Sequence, residues 1–457
     1  MEGPQVSPCA VPTAIGGWPL RLTGRTMVRH HDQCATAVVP WTPQRGTGTN
    51  ASMKHSGLLT VNCLVKEKPS RTRHSPMTMK NRIHEACIPH DMTRRGMLRA
   101  AVWGAVALGT WGTRVRAEGA PQATLSTDIT GDETLANALR PHLASSRRVA
   151  VALIEPGQPP RFAGFGADEN TEFEIGSVTK PLTGALLTDA VNNGVLTLDT
   201  TVQDILGDRA AGSAIADVRM VELATHTCGL PNFPEKVAAR MATVANPLGP
   251  YSPGDVVRTA LQSPVTGRGK ISYCSLGVAL MGHLVAFVQG RSWRDLLAER
   301  VLGPLGLHHT WSPGTERELY ARTGGHPSTG TNANGNPVPP WACTGYAPAG
   351  MLRSNAAELA CYLEHLIGVP NPAAAGLEPL VRDASGQTGY AVNWQMDFRD
   401  FADDPVYSHG GATAGFSAIC AFQRKSRRGV VVLDATAGKR DELQGIVKLV
   451  MGGGIAG

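Results

Sequence analysis

The chain has 457 residues, a formal net charge of +6, and 42% hydrophobic against 18% charged residues. That length predicts two or three domains, or one large domain with extensions, and the composition is usual for a soluble globular protein. No apolar run is long enough to span a bilayer as a helix, and no segment repeats at the period of a solenoid or propeller, so neither class is indicated.

The positive charge is concentrated in the first quarter of the chain. Residues 1–117 hold 16 Lys and Arg against 5 Asp and Glu, whereas residues 118–457 hold 27 against 32. A basic arm is typical of nucleic-acid contact, or of a leader that is not part of the working protein. Residues 1–91 show neither a helical nor a strand period, which predicts a disordered arm or an upstream extension that is not translated.

Residues 92–117 have the three-part layout of an export signal. Arg94 and Arg95 lie in a basic start, an apolar run follows over 100–112, and small residues close the segment at Ala117. The adjacent arginines resemble a twin-arginine signal. The segment therefore predicts export to the periplasm or the medium.

The alternative for this segment is a short buried or interfacial helix over 97–111. Because an export signal works only at an N-terminus, the first interpretation implies that synthesis starts at Met92. The mature protein is then residues 118–457, with no membrane segment. The argument for nucleic-acid binding loses its basis with the arm.

The body begins with a predicted helix over 132–144 and two predicted strands over 148–155 and 161–166, followed by a helix over 177–193. The later predicted helices cover 219–227, 255–262, 275–288, 293–302, 355–367 and 439–451, and the later strands cover 388–396, 414–423 and 429–436. Strands at both ends with helices between them predict an α/β (α+β) fold. Its antiparallel sheet comes from both chain ends, is flanked by helices, and carries an inserted, mostly helical region.

Ser177 and Lys180 are the chemical core of the sequence. Three residues apart at the start of a helix, they share one face. A serine hydroxyl needs a neighbouring base to act as a nucleophile, and a lysine kept neutral by burial can supply it. The N-terminus of the helix also directs N–H groups toward developing negative charge. This Ser-x-x-Lys is the only match in the chain.

Six further segments accompany it in order. They are ELATHTCGLPNFP (222–234), ISYCSLGVALMGHLV (271–285), LGPLGLHHTW (302–311), YAPAGMLRSNAAELACYL (346–363), TGYAVNWQ (388–395) and YSHGGATAGFSA (407–418). With them the sequence resembles the serine β-lactamase and penicillin-binding protein family. It is most similar to the class C-like branch, which includes D-alanyl-D-alanine peptidases and carboxylesterases. The resemblance covers about residues 130–450 and implies a β-lactamase/transpeptidase-like fold.

The resemblance also implies roles for the residues that match the motifs. Ser177 would be the acylated nucleophile, and Lys180 would take or relay its proton. Tyr273 would act as general base, either as a phenolate or through Lys180, and would then protonate the leaving group. The oxyanion hole would be the backbone N–H groups of Ser177 and Ala412.

The substrate pocket would include Ser275, His409 and Gly411. At Gly411 any side chain would block a substrate that lies along the strand. Two of these positions depart from the family: Ser275 replaces an asparagine, and His409 replaces a lysine. Both changes weaken recognition of an anionic β-lactam, although a protonated His409 could restore part of it. The departures favour a peptidase or esterase without excluding slow β-lactam hydrolysis. His226 is interpreted as a loop brace with no chemical role.

The expected activity is that of an exported serine hydrolase acting through an acyl-enzyme on β-lactams, D-amino-acid peptides or esters. The alternative is a penicillin- or peptidoglycan-binding protein without turnover. We expect no metal and no cofactor, because no paired Cys/His motif occurs. We also expect a monomer with a small or peptidoglycan-derived acyl substrate. Cys228 and Cys274 replace cleft residues of the family, so they form either a disulfide or small buried thiols.

Overall fold

The structure is a computed structural model that describes residues 124–368, 376–399, 401 and 403–455. The predicted extension over 1–91 and the predicted export signal over 92–117 lie outside these residues. The strands are β1 (Ile129–Gly131), β2 (Val149–Ile154), β3 (Arg161–Phe165), β4 (Phe173–Glu174), β5 (Gly330–Thr331), β6 (Pro337–Val338), β7 (Arg353–Ser354), β8 (Val381–Arg382), β9 (Thr388–Tyr390), β10 (Gln395–Asp397), β11 (Val406–Ala412), β12 (Ser417–Gln423) and β13 (Arg428–Asp434).

The helices are α1 (Glu133–Leu139), α2 (Thr179–Asn192), α3 (Val202–Leu206), α4 (Met220–Ala224), α5 (Glu235–Thr243), α6 (Pro253–Gln262), α7 (Ser275–Val288), α8 (Trp293–Leu297), α9 (Glu316–Arg322), α10 (Ala347–Gly350), α11 (Ala356–Ile367) and α12 (Arg440–Met451). Short 3₁₀ turns cover Arg140–His142, Gly176–Val178 and Gly207–Ala210, and a π-helical turn, Ala298–Leu302, follows α8. Within the described residues, none of these helices combines the length and apolar character that a bilayer crossing requires.

A nine-stranded antiparallel sheet joins the two ends of the described body. Its strand order is β1-β3-β2-β13-β12-β11-β10-β9-β8. The central pairing is between β2, near the start, and β13, near the end, with Val149 opposite Asp434. The region between β4 and β8 is mostly helical. This arrangement confirms the predicted mixed fold with a sheet built from both chain ends.

The sheet is covered on both faces, which explains why every residue of β2 is buried. Side chains alternate along the strand, so Ala150 and Ala152 pack into the larger core beside α11. Val149 and Val151 point the other way, into a second core with α1 and α12. The site described below lies on the side of the larger core.

Helix α7 is apolar on all sides because other helices surround it. Its first twelve residues, from Ser275 to Ala286, are buried, and it packs against α2, α4, α6 and α10. The Sγ of Cys274 caps the helix by accepting the N–H of Gly277 at 3.0 Å. The predicted helix over 275–288 is therefore confirmed, and its start fixes the position of the two residues before it, Tyr273 and Cys274.

Several predictions of single elements were wrong. The predicted strand over 388–396 is two antiparallel strands, β9 and β10, because the chain reverses at a turn in which Asn393 has φ 56°. Strand β11 was absent from the strands predicted by hydrophobic pattern, because its two glycines lower the strand signal, and only the family resemblance placed a strand there. The helices α3, α5, α9 and α10 were also missed, because helices of four to nine residues span too few turns to show a clear period.

Candidate active site

Ser177 lies in the 3₁₀ turn between β4 and α2. Gly176 begins this turn with φ +50°, and a Cβ there would lie 2.6 Å from the backbone nitrogen of Ala412. A glycine is therefore required both by the backbone conformation and by the close approach of strand β11. The turn leaves Ser177 half-buried.

Lys180 is fully buried one turn after the serine. Its Nζ lies 2.8 Å from Ser177 Oγ and donates to the carbonyl oxygen of Ala349 at 2.6 Å. Burial lowers the Lys180 pKa from 10.5 to about 7, against a small opposing effect of Cys274. A neutral amine bound to Ala349 keeps its lone pair for the Ser177 proton. The spacing that predicted a shared helix face brings the two side chains into direct contact.

Tyr273 completes a cluster of three polar groups. Its hydroxyl hydrogen-bonds the Ser177 side chain, and its ring centroid lies 4.9 Å from Lys180 Nζ. Burial raises the pKa of Tyr273 above its usual 10, and the bond to Ser177 offsets this only in part. Tyr273 is therefore a protonated phenol at neutral pH. Of the two routes left open by the sequence, these pKa values favour the amine of Lys180, not a phenolate, as the base.

Strand β11 packs against the turn that carries Ser177, so the backbone of Ala412 lies close to that turn. A Cβ on Gly411 would lie 2.0 Å from the carbonyl oxygen of Ile175 and 3.2 Å from the nitrogen of Ser177. The strand therefore packs directly on the turn that carries Ser177, and this packing by itself requires a glycine at 411. Ser177 and Ala412 therefore lie on the two sides of this backbone contact.

His409 lies on the same strand and is almost fully buried. Its Nδ1 lies 2.8 Å from the carbonyl oxygen of Gly410 and donates to it, which leaves Nε2 as an acceptor. Burial, followed by the neighbouring charge of Lys180, lowers the His409 pKa to about 3. The expectation that a protonated His409 restores part of a lysine's charge is therefore corrected, because the imidazole stays neutral.

Ser275 is the first residue of α7 and is only 5% exposed. Its backbone N–H donates to Oδ1 of Asn232 at 2.9 Å. A carboxamide thus lies beside the position where the related family has an asparagine, but it comes from another loop. Asn232 has no signal of its own in the sequence, because only the fold brings this loop against the start of the helix.

A buried ion pair supports the turn that carries Ser177, and the sequence did not predict it. Arg353 is 1% exposed and bonds Glu172 at 2.6 Å and Glu174 at 3.0 Å. Glu174 accepts the N–H of Trp341 at 2.7 Å as well. Because β4 and β7 carry this pair, it fixes the strand that leads into Ser177. Contacts between such distant residues leave no periodic signal in a sequence.

Two further groups lie near the cluster. The side chains of Cys228 and Cys274 hydrogen-bond each other as free thiols. Of the two alternatives given for these cysteines, the structure has the buried thiols. Arg440 begins α12, is exposed, and exerts its charge on His409 and Tyr273. As an exposed group it is screened by solvent and salt.

The mixed fold and the serine, lysine and tyrosine cluster define a class of protein: serine hydrolases related to β-lactamases and penicillin-binding proteins. The chain belongs to the Beta-lactamase family, whose family model matches residues 135–446. Membership of this family supports a serine hydrolase-type function on small acyl substrates.

Individual relatives agree with this assignment. Penicillin-binding protein 4 of Amycolatopsis lactamdurans is 28% identical over 284 residues, 56% of this chain and 70% of the relative. A Beta-lactamase of Pseudomonas fluorescens is 27% identical over 335 residues, 62% of this chain and 87% of the relative. The solved class C beta-lactamase from Rhodobacter sphaeroides superimposes with a TM-score of 0.58 at 19% identity, covering 69% of this chain and 100% of the other. At that identity the structural likeness shows the fold alone.

Proposed function

We propose that the protein is an exported serine hydrolase that acts through an acyl-enzyme at Ser177. The observation that carries the proposal is the 2.8 Å contact between Ser177 Oγ and Nζ of Lys180, a buried amine with a pKa of about 7. A lysine of ordinary pKa would be protonated at neutral pH and could not accept the serine proton. Burial removes that obstacle, so the pair suits nucleophilic acyl transfer.

In the proposed acylation step, Lys180 takes the Ser177 proton as Oγ attacks the acyl carbon. The developing oxyanion accepts hydrogen bonds from the N–H groups of Ser177 and Ala412. The leaving group takes a proton from the Tyr273 hydroxyl, which recovers one from Lys180. Water then attacks the acyl carbon and gives its proton to Tyr273, which passes one to Lys180. Lys180 returns a proton to Ser177 Oγ, so the acid is released and Ser177 is restored.

Among the substrate classes of the family, we propose that small neutral esters are turned over most readily, with D-amino-acid peptides and β-lactams as slower candidates. The neutral His409 supplies no cation for a substrate carboxylate. Ser275 offers a short, nearly buried hydroxyl in place of an amide. Arg440 is exposed and therefore a weak substitute for a buried cation.

The experiment compares covalent labelling with turnover. A fluorescent penicillin and a fluorophosphonate are incubated with the wild-type protein and with Ser177→Ala, and hydrolysis of p-nitrophenyl acetate and nitrocefin is measured in parallel. We expect labelling that Ser177→Ala abolishes, and ester turnover faster than nitrocefin turnover. Labelling without turnover of either substrate would instead favour a penicillin- or peptidoglycan-binding protein. Labelling that persists in Ser177→Ala would refute the proposed nucleophile.

We propose in addition that residues 92–117 direct export through a twin-arginine route. The support is the pair Arg94-Arg95 ahead of an apolar run. The test expresses the chain from Met92 with Arg94→Lys/Arg95→Lys, which keeps the charge, beside the same chain without the substitutions. We expect the double substitution to retain an unprocessed species inside the cell. Normal processing in both would contradict this route.

A further inference from the structure

His226 holds the residues on either side of Tyr273. Its carbonyl oxygen accepts the N–H of Ser272 at 2.8 Å, and its ring Nδ1 accepts the N–H of Cys274 at 3.1 Å. One residue thus bonds both neighbours of the tyrosine, once through its main chain and once through its side chain. These two bonds fix the main chain from which the Tyr273 ring projects.

The imidazole of His226 also contacts the Tyr273 ring itself. Their centroids are 4.6 Å apart with 39° between the planes. Tyr390 lies edge-to-face with the same imidazole at 5.0 Å, and His226 is fully buried. Aromatic rings at these separations are in direct contact. Rotation of the Tyr273 ring would therefore have to displace a side chain that has no free space.

Two features of His226 cost stability, and a role as a loop brace alone does not explain them. Its φ of 60° lies in the left-handed region that non-glycine residues avoid. Because Nδ1 accepts a hydrogen bond, the ring proton lies on Nε2, and this buried atom has no hydrogen-bond partner among the described residues. Backbone strain and unsatisfied buried polar groups persist in native proteins mainly where function needs them.

From these contacts we propose that His226 is a positioning residue, which holds the Tyr273 ring so that its hydroxyl stays on Ser177. The inference rests on the proposed function, since the role of Tyr273 is part of it. The imidazole has to be neutral, because a protonated Nδ1 could not accept a backbone N–H. Burial, followed by the nearby Lys180 and His409, keeps the His226 pKa well below its usual range.

The test is a double-mutant cycle between His226 and Tyr273. His226→Phe keeps a ring against Tyr273 but removes the acceptor, and His226→Asn keeps an acceptor and tolerates a positive φ. Each is combined with Tyr273→Phe. His283→Asn is the matched control, since His283 is a second buried histidine, bonded to Gly345. The measurements are the rate of fluorophosphonate labelling, kcat/KM for p-nitrophenyl acetate, and the melting temperature.

We expect His226→Phe to slow labelling about 10- to 100-fold in the wild-type background and less than about twofold in the Tyr273→Phe background. His226→Asn should recover part of the rate, whereas His283→Asn should lower the melting temperature with little effect on the rate. If His226→Phe does not fold, the same cycle with His226→Asn decides the question.

Equal slowing in both backgrounds, or no slowing in either, would overturn the positioning role of His226. These results are distinguishable from failure of the proposed function. If Ser177→Ala still labels, or Tyr273→Phe alone has the wild-type rate, the proposed mechanism is wrong whatever the His226 variants do.

Discussion

The neutral amine of Lys180 makes a defined prediction for the pH dependence of acylation. With a pKa of about 7, about three quarters of Lys180 is neutral at pH 7.5, whereas a lysine with the ordinary value of 10.5 would be neutral in about one molecule in a thousand. We therefore expect kcat/KM to rise about tenfold per pH unit at acid pH and to level off above about pH 7. Tyr273 stays protonated on this plateau.

The same burial has a cost in stability. The drop of the Lys180 pKa from 10.5 to about 7 corresponds to roughly 5 kcal/mol, of which about 4 kcal/mol applies at pH 7. Between these two values the unfolded chain binds more protons than the folded one, so the free energy of unfolding rises with pH. Lys180→Met removes this cost but leaves the carbonyl of Ala349 unpaired, which costs about 1–3 kcal/mol. We expect the variant to be inactive, yet about 2 kcal/mol more stable at pH 7.

The assay measures kcat/KM for p-nitrophenyl acetate from about pH 5 to 9, with Ser177→Ala as the blank for spontaneous hydrolysis. Urea unfolding of the wild-type protein and Lys180→Met is compared at about pH 7 and pH 9. The advantage of Lys180→Met should shrink by about 2 kcal/mol between them, because less of the wild-type cost remains at the higher pH.

Two results would refute this reasoning. An activity that still rises about tenfold per pH unit up to pH 9, with no plateau, would assign the base to a lysine of ordinary pKa or to the Tyr273 phenolate. A Lys180→Met protein that is less stable than wild type at both pH values would show that the folded state gains, rather than loses, from the buried amine.

Two further predictions concern the residues that support the site, and each is tested with a pair of variants. Gly411→Ala places a Cβ 2.0 Å from the carbonyl oxygen of Ile175, whereas the Cβ of Gly410→Ala has no atom closer than 3.9 Å. We therefore expect fluorophosphonate labelling to slow about 100-fold or more in Gly411→Ala and to change little in Gly410→Ala. Similar labelling rates for the two variants would contradict the close contact. Arg353→Met leaves Glu174 buried without its partner, and we expect a loss of about 3–5 kcal/mol in urea unfolding. Adding Glu174→Gln should recover part of that loss, and a single variant as stable as wild type would argue against the buried pair.

Local signals were enough to predict the outline of the fold. The segments that form β2 and α7 are mostly apolar, and this composition is visible in a short window of the sequence. The β9–β10 reversal was not, because it depends on a left-handed Asn393 inside a segment of strand-like composition. Strand β11 is held by its neighbours β10 and β12, not by its own residues, two of which are glycines.

The site divides in the same way. The spacing of Ser177 and Lys180 on one helix face made their contact predictable. The ring of His226 and the carboxamide of Asn232 reach the cleft only through tertiary structure, so their contacts had no sequence signal. The degree of burial, which sets the pKa of Lys180, is likewise a property of the surrounding helices and not of the motif.

The contact between strand β11 and the turn that carries Ser177 forms late during synthesis of the chain. Ser177 leaves the ribosome long before Gly411, and the pairing of β2 with β13 waits for residues later still. Long-range strand pairing of this kind is slow to form. A nascent or truncated chain that ends before β11 therefore carries the serine and the lysine without the N–H of Ala412. If Ser177 and Ala412 act as proposed, the complete site forms only when the last strands dock.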